Sequence, residues 1–175
     1  MALVLDGSGD ITGLTRGAIE STAIGTGAIL QVVQTSTTTT TTSTSGSWED
    51  AGGFTASITP TASSSRILVL VSAQYELYRA ALESTGAFKI VRGSTDIFLE
   101  SANSLGIEAA PSVNGRVYAD GRWAAMYVDS PSTTSSTTYK LQMKCGSTGS
   151  SGRLTVNNQS NNTQTGTVIL MEIAG

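Results

Sequence analysis

The side chains that could do chemistry in this 175-residue sequence form no arrangement typical of a catalytic centre. There is no histidine, so the many serines and threonines lack the usual general base. A Ser–Lys dyad would need Lys89, Lys140 or Lys144, and the last two fall on the polar face of a predicted strand. The carboxylates show no spacing that would pair two of them across a cleft for glycoside cleavage. We therefore expect a protein that is not an enzyme.

Motifs for metals and cofactors are incomplete. Residues 6–10 (DGSGD) lack the third oxygen ligand and the closing glutamate of a calcium loop. Residues 25–27 (GTG) lack the Lys–Ser/Thr pair of a phosphate-binding loop. The single cysteine, Cys145, excludes an internal disulfide and lies on the apolar face of a predicted strand. We expect no cofactor and no metal site.

The best candidates for a recognition surface are aromatic and basic side chains beside predicted loops. Tyr78 adjoins Arg79, and Tyr118 lies two residues after Arg116. Exposed tyrosine rings suit stacking on sugars, and a guanidinium supplies hydrogen-bond donors beside them. The alternative is that both tyrosines pack beneath their loops.

Composition limits the partners. Charged residues are 13% of the chain, the net charge is −3, and there are only three lysines, which argues against nucleic acid as a partner. The longest strictly apolar run, residues 67–71, is too short to span a membrane, and we expect no signal peptide in the first five residues.

The elements that must position these side chains are strands. Alternation with a period of two recurs from residue 28 onwards, for example over residues 138–145, and no segment keeps a helical period. Residues 66–75 are apolar on both faces, which predicts a central strand covered on both sides. Turn signals lie at Gly93-Ser94, Asn114-Gly115 and Asp120-Gly121. We predict an all-β fold, an antiparallel β-sandwich of the jelly-roll type.

A threonine-rich tract at residues 35–44 interrupts this pattern. Serine and threonine runs often form flexible linkers, but threonine is β-branched and favours strands. We expect an edge strand or hairpin, with a flexible tether as the alternative.

The first 27 residues differ from the rest and form a separate N-terminal segment, followed by a β-domain over residues 28–175. Their apolar side chains are isolated, so they cannot form a core of their own and need partner chains to cover them. Leu14 opens a short predicted helix over residues 14–23. The apolar residues that we expect to anchor this segment are Leu3, Leu5, Ile11 and Leu14.

Five blocks in one order resemble the tail-fibre and virion structural proteins of cyanophages and marine phages. They are residues 5–14 (LDGSGDITGL), 28–34 with the threonine tract that follows, 56–69 (ASITPTASSSRILV), 127–140 (YVDSPSTTSSTTYK) and 167–174 (TVILMEIA). Residues 77–122 depart most from the pattern of that group.

The resemblance implies a non-enzymatic homotrimer located in the virion. Its N-terminal segment would bind other virion proteins of the baseplate, tail or capsid, and its β-domain would recognise the host surface, with host polysaccharide as the candidate ligand. The first alternative is a capsid decoration or head-fibre protein without a receptor. The second alternative, a polysaccharide-degrading spike, is disfavoured because such enzymes usually have a longer β-helical body.

Overall fold

The computed structural model describes residues 25–81, 83–99, 104–108, 117–159 and 162–175. Every regular element in these ranges is a β-strand, and no helix there is long and apolar enough to cross a membrane. The strands are β1 (Ile29–Thr37), β2 (Thr41–Ser43), β3 (Glu49–Ile58), β4 (Arg66–Arg79), β5 (Glu83–Arg92), β6 (Thr95–Leu99), β7 (Leu105–Glu108), β8 (Val117–Asp129), β9 (Thr137–Cys145), β10 (Arg153–Val156), β11 (Asn158–Gln159), β12 (Asn162–Thr163) and β13 (Gly166–Ile173).

The first sheet, sheet 1, is antiparallel and centred on β4. Along one edge β4 pairs with β8 over almost its whole length. Along the other edge it pairs with β13 and then with β10. Strands β1 and β2 pair with β13 and β10 in turn, so they form an interrupted outermost strand. The sheet is therefore four strands wide at each end of β4.

The second sheet, sheet 2, is also antiparallel and has the order β3-β9-β5-β6. Strand β7 pairs with β5 beyond the end of β6, so the two short strands share one edge of β5. A small hairpin of β11 and β12 lies outside both sheets.

The hydrophobic core lies between the two sheets. Alternate residues of each strand point inwards, as Ile67, Val69 and Val71 do in β4, and all three are fully or almost fully buried. Phe88 of β5 contacts Trp123 of β8 across the core, with ring centroids 5.1 Å apart. Each large side chain buried in this way contributes about 1.5–3 kcal/mol to stability, so the core holds the two sheets together.

Several predicted elements are confirmed. The strand β9 alternates between buried and partly exposed residues along its whole length, and Cys145 lies on its buried face. The hairpin between β5 and β6 turns at Gly93, whose φ of 59° lies in the left-handed region that a primed turn requires. The all-β prediction and the antiparallel pairing are likewise confirmed in the described ranges.

The threonine tract is structured as strand at both ends. Its first residues complete β1, and β2 is an edge strand paired with β10, but β1 and β2 do not form a hairpin with each other. Asn157 explains why the connection between them is fixed: its buried side-chain amide donates to the carbonyl oxygens of Thr37 and Thr39, both at 3.2 Å. The tether alternative is therefore wrong.

The predicted turn at Asp120-Gly121 is wrong, because β8 runs straight through both residues. Gly121 faces Tyr75 of β4, and a Cβ added at Gly121 would lie 2.8–2.9 Å from the tyrosine ring. The glycine makes room for a neighbouring ring in the sheet rather than for a turn. Asn114-Gly115 lies outside the described residues.

The central position of β4 is confirmed, but its predicted cover on both faces is not. Ile67 and Val69 on the inner face are completely buried, whereas Leu68 and Leu70 on the outer face remain partly exposed. The N-terminal predictions, including the short helix and Leu3, Leu5, Ile11 and Leu14, lie outside the described residues.

Candidate functional site

Two of the predicted recognition residues meet on the outer face of sheet 1. Tyr78 of β4 and Tyr118 of β8 are directly opposite in the strand register, and their ring centroids lie 4.8 Å apart. Both occupy outward-pointing positions, because inward and outward residues alternate along each strand. Tyr118 is 51% exposed and Tyr78 only 8% exposed. Tyr118 is thus the accessible ring, and Tyr78 supports it from below.

A cation covers the other side of Tyr78. Arg153 of β10 is the register partner of Tyr78, and its guanidinium lies 4.0 Å from the centre of the tyrosine ring. The same guanidinium forms an ion pair with Glu76 at 3.3 Å. Tyr78 is therefore held between Tyr118 and Arg153. These three side chains form a row across β8, β4 and β10, and the paired strands hold the row rigidly.

A second acidic residue lies beside Glu76 in the neighbouring row of the same face. Asp120 is the register partner of Glu76 and is exposed. We call Glu76, Tyr78, Tyr118, Asp120 and Arg153 the aromatic patch. It combines an exposed ring with both signs of charge, the combination that stacks on a sugar ring and hydrogen-bonds to its hydroxyl groups.

The other two predicted residues do not join the patch. Arg79 occupies the next position along β4, so its side chain points to the opposite face. There it donates to the carbonyl oxygens of Gly149 at 3.2 Å and Glu83 at 3.1 Å, and these bonds link the end of β4 to the β9–β10 loop and to the start of β5. Arg116 lies outside the described residues. Arg79 therefore has a structural role.

Sequence reasoning missed Arg153. Nothing in the local sequence shows that the strand carrying Arg153 pairs with β4, where Arg153 lies opposite Tyr78, a residue 75 positions earlier in the chain. The pairing depends on the whole fold, since register is set by burial and by contacts distant in sequence.

The lysines considered for a Ser–Lys dyad have other partners. Lys140 binds Asp50 at 2.7 Å, and this hydrogen bond, with one from Gln142, holds the pKa of the Asp50 carboxyl below its usual value. Lys89 pairs with Asp96 at 2.6 Å.

The third lysine, Lys144, lies over an aromatic ring, and Cys145 is buried. The ammonium groups of Lys89 and Lys144 lie 4.8 and 5.0 Å from the centre of the Trp48 ring. Burial raises the pKa of the Cys145 thiol, so the thiolate, its nucleophilic form, is disfavoured.

A buried carboxylate closes one end of the core. The side chain of Glu172 is fully buried, and its Oε1 accepts from Thr61 N, Thr61 Oγ1 and Ser65 Oγ at 2.6, 2.7 and 2.7 Å. Its Oε2 accepts from Gln31 Nε2 at 2.6 Å. Burial alone would raise the pKa of Glu172, but these four hydrogen bonds outweigh burial and hold it below its usual value. Because both of its oxygens accept hydrogen bonds, the carboxylate links the β3–β4 loop to β13.

A second buried carboxylate joins the two sheets. Asp129 at the end of β8 accepts from Arg92 Nη1 at 2.9 and 2.8 Å and from the Tyr139 hydroxyl at 2.8 Å. Burial and this carboxylate raise the pKa of Tyr139, so its hydroxyl stays protonated and donates. These groups stabilise the fold, and their hydrogen-bonding capacity is taken up by one another.

Within the part of the chain that the structure describes, no three carboxylate or thiol side chains lie close enough together to hold a metal ion. No protein-family model matches the chain, and no curated protein is detectably similar to it.

Proposed function

We propose that the chain is a structural virion protein, a phage tail fibre that trimerises, anchors by its N-terminal segment and recognises the host surface. The observation that carries the recognition half of this proposal is the aromatic patch, in which an accessible Tyr118 is backed by Tyr78 and Arg153. A rigid sheet that presents an exposed ring beside paired charges favours a flat, hydroxyl-rich ligand, so host polysaccharide is the proposed ligand.

The virion half of the proposal rests on the five sequence blocks that resemble phage tail-fibre and virion structural proteins. The N-terminal residues Leu3, Leu5, Ile11 and Leu14 are the proposed contacts with other virion proteins. Isolated apolar side chains need partner chains to bury them, and three-fold closure would supply such partners.

The strand order supports the jelly-roll form of the fold. With the separate β11–β12 hairpin left out and each interrupted strand counted once (β1 with β2, β6 with β7, β10 with β13), eight strands remain in chain order. Sheet 1 then has the order 1-8-3-6 and sheet 2 the order 2-7-4-5. Eight strands divided between two sheets in this order are what a jelly roll requires, a fold found in viral capsid proteins and lectins, so the strand order supports this proposal.

A non-enzymatic role is supported by the chemistry of the charged residues. The carboxylate oxygens of Glu172 and Asp129 accept hydrogen bonds that stabilise the fold. Lys89 and Lys140 are paired with carboxylates. Neither a base beside a nucleophile nor two carboxylates across a cleft is found among these groups.

Binding of the purified protein to host polysaccharide tests the recognition site. Tyr118→Ala should weaken binding by about fivefold or more, since loss of a stacked tyrosine at a binding centre costs over about 1 kcal/mol. Tyr127→Ala is the matched control, because Tyr127 lies on the same strand, is 37% exposed and faces away from the patch. Equal binding by wild type and Tyr118→Ala would refute the site.

A further inference from the structure

The outer face of sheet 2 carries all three lysines of the chain. Lys140 and Lys144 lie on β9, where every second residue is partly exposed and the residues between them are buried. Lys89 of the neighbouring β5 lies directly opposite Gln142 of β9, so it belongs to the same face. On the other side of β9, Asp50 of β3 is the register partner of Gln142. A row of Lys89, Gln142 and Asp50 therefore crosses three strands, with Lys140 and Lys144 on either side of it.

A tryptophan lies against one end of this face. Trp48, in the loop between β2 and β3, is half-buried, and the ammonium groups of Lys89 and Lys144 lie 4.8 and 5.0 Å from the centre of its ring. The loop is fixed to the end of β9, because Cys145 N donates to Ser45 O at 2.9 Å. The ring and its cations are therefore held in place before any ligand arrives. We call Trp48, Asp50, Lys89, Lys140, Gln142 and Lys144 the lysine face.

A hollow of about 270 Å³ lies at the other end of the lysine face. Strand β3 bulges here, since its register against β9 shifts after Asp50, and the bulge contains Gly53 with a φ of 76°. Asp50 and Lys140 line the hollow and form a 2.7 Å ion pair. Lys140 and Lys144 are four residues apart on one strand, so the two ends of the face are roughly 13 Å apart. That length suits an extended oligomer rather than a single small molecule.

The charges of the lysine face suit a ligand that has both an anionic group and hydroxyl groups. Lys89 and Lys140 are paired with Asp96 and Asp50. Among the residues that the structure describes, no carboxylate lies within ion-pair distance of Lys144, so an anion can bind Lys144 without displacing an ion pair. The exposed carboxylate of Asp50 can accept further hydrogen bonds from hydroxyl groups, but it repels a polyphosphate chain. This combination favours an acidic sugar over a nucleic acid.

We propose that the lysine face binds an acidic polysaccharide, with one sugar ring stacked on Trp48 and its carboxylate, sulfate or phosphate group bound to Lys144. The following sugars lie over the hollow, with their hydroxyl groups hydrogen-bonded to Asp50 and Gln142. This site is separate from the aromatic patch, because the outer faces of sheet 1 and sheet 2 are on opposite sides of the core. Only the source of the polysaccharide, the host surface, rests on the proposed function.

Titration of the full chain with oligogalacturonate, and with the same oligomer after methyl esterification of its carboxylates, tests the site. The ester keeps the sugar rings and hydroxyl groups and removes the charge. Wild type should bind the acidic form about tenfold more tightly or better, because hydrogen bonds to a charged acceptor are stronger than neutral ones. Dextran sulfate and dextran form a second pair, which tests a sulfate in place of a carboxylate. Lys144→Gln should abolish the preference for the acidic member of each pair that shows one.

Two further variants complete the test. Arg66→Gln is the matched control, because it removes the same charge from an exposed residue at the start of β4 in sheet 1, and the preference should persist in it. Trp48→Ala should weaken binding of the acidic oligomer about tenfold through loss of the stacked ring. Circular dichroism verifies that each variant is folded, and Lys144→Gln alone decides the test if Trp48→Ala does not fold.

Three results would overturn the inference. They are equal affinity for the acidic and neutral members of both pairs, a preference that survives Lys144→Gln, and tighter binding of oligo-dT than of either acidic glycan. The aromatic patch can fail independently. If Tyr118→Ala leaves binding of host polysaccharide unchanged while Lys144→Gln removes the preference for acid, only the site on sheet 1 is refuted. If Tyr118→Ala weakens that binding and wild type shows no preference for acid, only the lysine face is refuted.

Discussion

The substitution Glu172→Gln removes the charge of a fully buried carboxylate and keeps its shape. In the wild type four donors converge on Glu172, three on Oε1 and one, Gln31 Nε2, on Oε2. A hydrogen bond to a charged acceptor is worth roughly 1 kcal/mol more than one to a neutral acceptor, so the three bonds that remain lose about 3 kcal/mol together. The new amide also places a donor against Gln31. We expect the free energy of unfolding at pH 7 to fall by about 3 kcal/mol or more.

The effect should depend on pH with a defined sign. The pKa of Glu172 in the folded protein lies below its ordinary value of 4.5. The carboxylate therefore contributes its full stability above about pH 4.5 and loses it as the pH falls through the folded-state pKa. The difference between wild type and Glu172→Gln should be large at pH 7 and shrink towards about pH 3.

Urea unfolding at the two pH values measures this difference. Glu83→Gln is the control, because the Glu83 side chain is 61% exposed and forms only a 3.7 Å ion pair with Arg79. It should change stability by no more than about 0.5 kcal/mol. A loss for Glu172→Gln that is the same at both pH values, or no larger than that of Glu83→Gln, would refute the account of the buried carboxylate.

Two further substitutions test local features of the fold. Gly121→Ala places a Cβ 2.8–2.9 Å from the Tyr75 side chain. The resulting overpacking should lower the free energy of unfolding, measured by thermal denaturation, by about 1–3 kcal/mol. No loss of stability would mean that the ring moves aside freely. Asn157→Ala removes the amide that holds Thr37 and Thr39, so backbone hydrogen exchange should accelerate in the threonine tract first. Unchanged exchange there would show that other contacts hold the tract.

The strands could be predicted from the sequence because a period of two reflects local alternation between core and solvent. Strand β9 and the β5–β6 hairpin follow directly from such local patterns. Gly121 could not be assigned in this way, because the ring that requires a glycine there belongs to another strand. The same Asp-Gly pair is a good turn signal wherever no neighbouring strand competes for it.

The candidate site was only half predictable. The sequence indicates Tyr78 and Tyr118 because tyrosines beside predicted loops suit stacking on sugars, and the structure places the two rings together. Arg153 comes from a strand that is distant in sequence, and Arg79 points to the opposite face, which only the register of β4 decides. Exposure of Leu68 and Leu70 was also unpredictable, since apolar residues on both faces of a strand are usually covered.

Labelling of intact virions with an antibody against the chain tests the central claim, that this is a tail-fibre protein, most directly. We expect label on the tail fibres of the particle, with the β-domain outermost. Label on the capsid would contradict it and favour a decoration or head-fibre protein, and virions that carry no label would contradict a structural role in the particle altogether.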